Sequence, residues 1–357
     1  MADNIEAFGG DPDKVTIWGE SAGSILVMGH TVVNGGDNNY KGKPLFRAGI
    51  MNSGSILPAQ PVTALKAQNI YDLVAENAGC SGPDSLACLR AVDADTFLKA
   101  STSAPHFLGY HGLDLSYMPR PDPNDDFFPE SPEIPLREGR FFKMPVIIGD
   151  QQDEGTLFSL APINVTTEAE LTTYLANQYK TSSSDTSARE HISALLENYS
   201  KKPSDGSPYD TLNLVNNIYP QFKRLAAVVG DLPFTLVRRV YLAEVAPQMP
   251  AWSYLATYLH GTPILGTFHA SDLLHSFGIL PGLTHPTRTI QNFFLNFCNH
   301  MDPNKGVKED YLVDWPQWED GKRKVVEFAG AENGVLDDDF RAGAGEFLRE
   351  NLESFRL

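Results

Sequence analysis

The chain has 357 residues, 42% of them hydrophobic, which is ample for a large core, and its 28 basic against 45 acidic residues give a net charge of -17. That balance repels phosphate backbones and anionic headgroups, so nucleic acid is not an expected partner and the acidity reads as a solvated surface. No run of about 18 apolar residues occurs, so no membrane-spanning helix is expected.

The first residues, Met1 to Glu6, hold no basic segment leading into an apolar stretch, so no signal peptide is expected in this chain. Lys14-Val15-Thr16-Ile17-Trp18, closed by Gly19, reads as a buried strand. Ala22 to Val33 has helical apolar spacing through Ile25, Leu26, Met28 and Val32, and stops near Asn34-Gly35-Gly36. Ala48-Gly49-Ile50-Met51 reads as a second strand, and 62–78 and 84–100 as helices. Between those helices, Cys80 and Cys88 flank a short loop with a Gly-Pro turn. They form either a disulfide, contributing about 2–3 kcal/mol and implying an oxidising compartment, or two neighbouring reduced thiols. Cys298 has no evident partner and reads as a small buried apolar residue.

Residues 119–135 carry six prolines and read as an acidic loop with no regular element. Pro145 to Gly149 is the cleanest strand. Helical segments fill much of 168–246, broken at Gly206-Ser207-Pro208. Residues 252–259 alternate as a strand, followed by a helix at 287–300, a strand at 324–328 and a helix at 338–352. Strands alternating with helices predict an α/β fold with a mostly parallel sheet, and the absence of a linker or repeat predicts one domain over 1–357. Two Asn-X-Ser/Thr triplets, at Asn164 and Asn198, lean towards secretion.

The segment with chemical content is Gly19-Glu20-Ser21-Ala22-Gly23. A serine hydroxyl needs a base within hydrogen-bond reach and an acid that orients the base. A Gly-X-Ser-X-Gly turn between a strand and a helix presents such a serine in a tight bend, and the helix start aims N–H groups, that of Ala22 included, at a developing oxyanion. Chain order in such sites is nucleophile, acid, histidine. After the strand at 145–149 come Asp150, Asp153 and Glu154, among which local physics does not choose. After 252–259 come His260 and His269, of which His269 has more loop with which to reach the turn.

The stretch from Phe8 to Ser24 resembles the signature of the type-B carboxylesterase/lipase family. The segments Leu115 to Asp122, Pro145 to Thr156, Pro220 to Arg224 and Gly266 to Asp272 resemble its fungal secreted lipases of the Candida and Geotrichum type. The resemblance runs the length of the chain. It implies an α/β-hydrolase fold, a triad of Ser21, Glu154 and His269, a disulfide between Cys80 and Cys88, and glycosylation at Asn164. Glu20 is a second carboxylate near such a site, with a structural hydrogen-bonding role at least as well supported as a catalytic one. Leu157 and Phe158 are candidates to line an acyl pocket, although core packing accounts for them equally simply. No cofactor or metal is implied.

The chain departs from this family at its beginning, where members carry further strands, a Gly-Gly-Gly-type loop with the other oxyanion donors and, in the lipases, a lid. The expectation is a truncated chain whose full-length parent is secreted, contacts lipid interfaces and hydrolyses long-chain acylglycerols. The alternatives are a general short-chain carboxylesterase and an inactive or non-catalytic member of the fold.

Overall fold

The computed structural model describes residues 1–182, 185–211, 216–279 and 284–357. Its centre is a six-stranded sheet whose spatial order follows the chain: β1 (Thr16–Glu20), β2 (Ala48–Asn52), β3 (Val146–Gln151), β4 (Ala251–Ala256), β5 (Lys324–Phe328) and β6 (Gly334–Asp337). The first five pair in parallel and β6 returns antiparallel on β5.

Both faces of this sheet are covered, and the sequence of its strands follows from that. In β3, Val146 and Ile148 join the larger core cluster while Ile147 joins the smaller one. In β4, Ala251 and Leu255 face the larger cluster, and Trp252, Tyr254 and Ala256 the aromatic one with Phe293, Phe297, Trp315 and Phe328. A strand buried on both sides favours apolar residues on both faces, which is why the first residues of β2 and β3 read as continuous runs, whereas β4 carries Ser253 among its apolar residues and reads as alternating.

The expected elements are present, with shifted ends. The first strand lies two residues later than read and is half-buried rather than buried, with Trp18 39% exposed. It has one sheet partner among the described residues, β2, so its residues are less enclosed than those of the inner strands. The strand read at 252–259 ends at Ala256, where the chain enters a turn. The helical reading of 84–100 resolves into Ser85–Ala91 and Ala94–Ser101, the second capped by the Asp93 carboxylate accepting from the Thr96 N–H.

The proline-rich 119–135 stretch does contain the start of one short helix, Glu133–Arg137. Pro135 lies in its first turn, where a missing N–H costs nothing. Neither β6 nor the small hairpin Asn39–Tyr40 with Lys43–Pro44 was expected from local patterning. Of the helical stretch 168–246, positions 183–184 and 212–215 lie outside the described residues.

Cys80 and Cys88 are disulfide-bonded. Cys298 is free and half-buried, not fully buried as read. Among the described residues no helix is long and apolar enough to cross a membrane.

Candidate active site

Three loops leave the carboxyl ends of parallel strands and converge, as is usual for sites on open α/β sheets. Ser21 follows β1 directly, Glu154 follows β3 by three residues, and His269 lies in the loop after β4. Ser21 has φ 55° and ψ -118°, a strained conformation for a residue with a Cβ, costing about 1–3 kcal/mol. The turn is pinned by the Ser21 N–H donating to the Asn52 carbonyl at 2.9 Å and by the helix Ala22–Val32 that begins behind it. Gly19 is required here, since a Cβ would stand 2.2 Å from the Gly23 carbonyl carbon.

The three expected side chains lie in one hydrogen-bonded row. Ser21 Oγ is 2.8 Å from His269 Nε2, and His269 Nδ1 is 2.6 Å from Glu154 Oε2. The other Glu154 oxygen accepts from the Gln151 N–H at 2.6 Å. His269 is held from the side by Phe158 and Phe234, with ring centroids 5.0 and 4.5 Å away. Phe158 is buried and is thus a wall of the histidine's slot, while Leu157 is half-buried beside it.

The candidates that the sequence left open occupy separate places. Asp150 is fully buried against the Arg238 guanidinium, with Nε donating to its Oδ2 at 2.7 Å. Asp153 accepts from Ser207 Oγ, the Tyr209 N–H and the Thr267 N–H, each at 2.9 Å, so it anchors the loop that carries His269. His260 is exposed in the turn after β4.

Burial governs the charges. It pushes the Glu154 carboxyl up to about 8, against the Gln151 N–H and the Ser53 hydroxyl, and it pulls His269 below its ordinary value. A lone charge on either group is poorly solvated there, and each is the other's compensation. Glu20 Oε1 lies 3.2 Å from His269 Nε2, on the same side as Ser21. Burial raises Glu20 to about 7, and the neighbouring Asp272 and Glu154 push the same way.

Two features had no local signal. Phe234 reaches His269 from a π-type turn, Asp231–Thr235, that joins the helices Phe222–Gly230 and Leu236–Val245. Pro233 within it has no N–H to give to an α-helical ladder, which accounts for the irregular turn. Asp272, three residues after His269, is buried and accepts from Asn52 Nδ2 at 2.5 Å, while Asn52 Oδ1 accepts from Trp18 Nε1 at 3.2 Å. Asn52 thus links the strand before Ser21 to the loop of His269. The Ala22 backbone opens the helix at the serine, where the first N–H groups lack intrahelical acceptors. Asn164 and Asn198 are exposed. Among the described residues no His, Cys, Asp and Glu cluster is arranged to hold a metal.

Residues 1–343 match the model of the carboxylesterase family. The chain is 48% identical to the secreted triacylglycerol lipase LIP1 of Gibberella zeae over 98% of its own length and 59% of that protein's. It is 48% identical to secreted lipase 1 of Botryotinia fuckeliana, covering all of this chain and 61% of the relative. Lipase 4 of Diutina rugosa is 42% identical over 99% of this chain and 63% of its own. The chain thus spans about three-fifths of the length of these curated relatives. Among solved structures, Aspergillus niger EstA superposes with a TM-score of 0.80 at 23% identity, over 100% of this chain and 67% of EstA, which shows a shared α/β-hydrolase fold. From its sequence and its fold together, the chain belongs to the carboxylesterase family.

Proposed function

We propose that this chain carries the catalytic groups of a serine carboxylic ester hydrolase, with Ser21 as nucleophile, His269 as base and Glu154 as its orienting acid. The observation that carries this reading is the continuous row from Ser21 Oγ to Nε2 at 2.8 Å and from Nδ1 to Glu154 at 2.6 Å. In the acylation step the Oγ attacks the ester carbonyl carbon while Nε2 takes its proton. The tetrahedral oxyanion faces the Ala22 N–H. Collapse expels the alcohol, which receives the proton from Nε2. Water then attacks the acyl-enzyme by the same route and frees the carboxylic acid. Glu154, with its Nδ1 hydrogen bond, fixes the tautomer that leaves Nε2 free to accept and pairs with the imidazolium formed in each step.

The proposed substrates are long-chain acylglycerols, a reading supported by the similarity to a triacylglycerol lipase of Gibberella zeae and a lipase of Diutina rugosa. The parent protein is proposed to be extracellular, with the Cys80–Cys88 disulfide and glycans on the exposed Asn164 and Asn198. A series of p-nitrophenyl esters from acetate to palmitate tests the substrate class. Rates rising towards the long chains agree with it, and a maximum at acetate or butyrate would replace it with a short-chain carboxylesterase.

A further inference from the structure

The Asn164-Val165-Thr166 triplet stands at a cavity of about 320 Å³ whose wall includes the acceptor asparagine itself. Val165, the Tyr110–His111 segment and the helix Glu168–Tyr179 supply the rest of the lining. That volume is at the lower end of small-ligand sites, which run from roughly 300 to 1,000 Å³. Asn164 is exposed, but its neighbours are fixed: Val165 is buried in the core, and the Thr166 N–H and hydroxyl donate to Glu170 Oε2 at 2.9 and 2.8 Å. The Thr167 N–H donates to the same oxygen at 2.9 Å. A group carried on Asn164 therefore starts from a held root, which lowers the entropy cost of seating it.

The facing wall is aromatic and open. The Tyr174 hydroxyl donates to the Tyr110 carbonyl at 2.8 Å, which holds this segment against the helix. Tyr110 meets Tyr174 and His111 with ring centroids 5.5 Å apart and ring planes at right angles, so neither neighbour stacks flat on it, and 44% of it is exposed. The one carboxylate in the lining, Glu170, already accepts the three bonds from Thr166 and Thr167, and no lysine or arginine lines the cavity. Such a wall suits a neutral ligand with an apolar face and a polar rim. A pyranose ring has that character, with C–H groups on its face and hydroxyls at its edge, matching the Tyr110 ring and the polar tips of Tyr110 and His111.

We propose that this cavity seats the innermost N-acetylglucosamine of a glycan carried by Asn164, with one face of the sugar against Tyr110 and its polar edge towards His111 and Asn177. The seat rests on the glycosylation of Asn164 proposed above. In that reaction the Asn164 side-chain nitrogen bonds to the anomeric carbon of a lipid-linked oligosaccharide diphosphate. The anomeric C–O bond breaks with its electrons going to the diphosphate, and the amide nitrogen gives up one proton. Once seated, the sugar ties the helix Glu168–Tyr179 to the segment before Gly112, whose Phe107 ring lies 6.5 Å from Phe158 in the wall of the His269 slot. Asn198, the other triplet asparagine, is exposed and does not line this cavity.

The test compares two glycans on one folded molecule. The full chain is secreted from yeast and treated, still folded, with peptide N-glycosidase, which must reach the bond between asparagine and the innermost sugar and leaves aspartate behind. Peptide mass analysis over time reads the release at each site. Release at Asn164 is expected to be about tenfold slower than at Asn198, the protection given by one covered ring face and one hydrogen bond. Tyr110→Ser, at an exposed position, should remove that protection and leave Asn198 unchanged, and denaturation of the parent chain should remove it as well. Where Asn198 carries no glycan, the denatured chain supplies the reference rate. Equal rates in the folded parent overturn the seat, as does slow release at Asn164 that survives Tyr110→Ser or denaturation. An Asn164 peptide without glycan in the secreted, folded chain overturns the glycosylation reading and the seat with it, whereas a glycan on Asn164 that is released quickly overturns the seat alone.

Discussion

Glu20 shows how much one carboxylate changes a serine–histidine pair. Its folded value of about 7 lies above the ordinary 4.5, because burial and the nearby acids disfavour its charge. Between pH 4.5 and about 7 the unfolded chain has given up that proton and the folded chain keeps it, so stability falls as pH rises through the window and stays lower above it. Glu20→Gln removes this slope. The variant is expected to be about 1–2 kcal/mol more stable than the parent at pH 8 and little different at pH 4. Thermal melts across that range check this, and parallel Tm–pH curves would contradict it.

Also at the residue scale, the turn of the proposed nucleophile was legible because a strained turn demands small neighbours. The proposed acid and base were not legible from spacing: Asp150, Asp153 and Glu154 lie within five residues and differ in what folds against them. Arg238 claims the first, the loop N–H groups claim the second, and only the third faces an imidazole. Those partners come from up to 115 residues away, and family resemblance supplied what local physics lacked.

Among elements, the turn that carries Ser21 treats its two glycines unequally. A Cβ on Gly19 would meet the Gly23 backbone at 2.2 Å, whereas a Cβ on Gly23 meets nothing within 4 Å. Gly19→Ala is expected to cost about 3 kcal/mol or more, because backbone must move to admit the methyl group. Gly23→Ala, inside a helix, should be neutral or stabilising by up to about 1 kcal/mol. Urea denaturation of the two variants checks this, and equal midpoints would contradict the steric account. The strand and helix around the turn followed from β-branched and apolar periodicity. The π-type turn that brings Phe234 to His269 did not, since a proline in an apolar run marks an interruption without giving its geometry.

For the molecule as a whole, the alternation of strands and helices made the parallel sheet readable, because two covered faces favour apolar runs. The antiparallel β6 was missed: its residues Gly334 to Asp337 alternate between half-buried and exposed and carry little hydrophobic pattern. The link between the two ends of the fold was equally hidden. Arg238, fully buried, binds Asp150 on β3, Ser253 on β4 and Asp338 beyond β6. It holds Asp338 well below the usual carboxylate range, while Asp150, with a single bond to the guanidinium, is pushed up to about 7 by burial. Arg238→Met would leave Asp150 buried without its counter-charge and Asp338 with Arg239 alone, at an expected cost of about 3–5 kcal/mol. A denaturation midpoint close to that of the parent would show that the network is not a stabilising link.

The central claim is that Ser21 is an activated nucleophile because His269 and Glu154 stand behind it. Intact mass analysis and peptide mapping after treatment of the folded chain with diethyl p-nitrophenyl phosphate tests it most directly. A single diethylphosphoryl adduct is expected on the peptide containing Ser21, absent in Ser21→Ala and formed at least about 100-fold more slowly in His269→Ala. A folded chain that is modified elsewhere, or equally in Ser21→Ala, would contradict it.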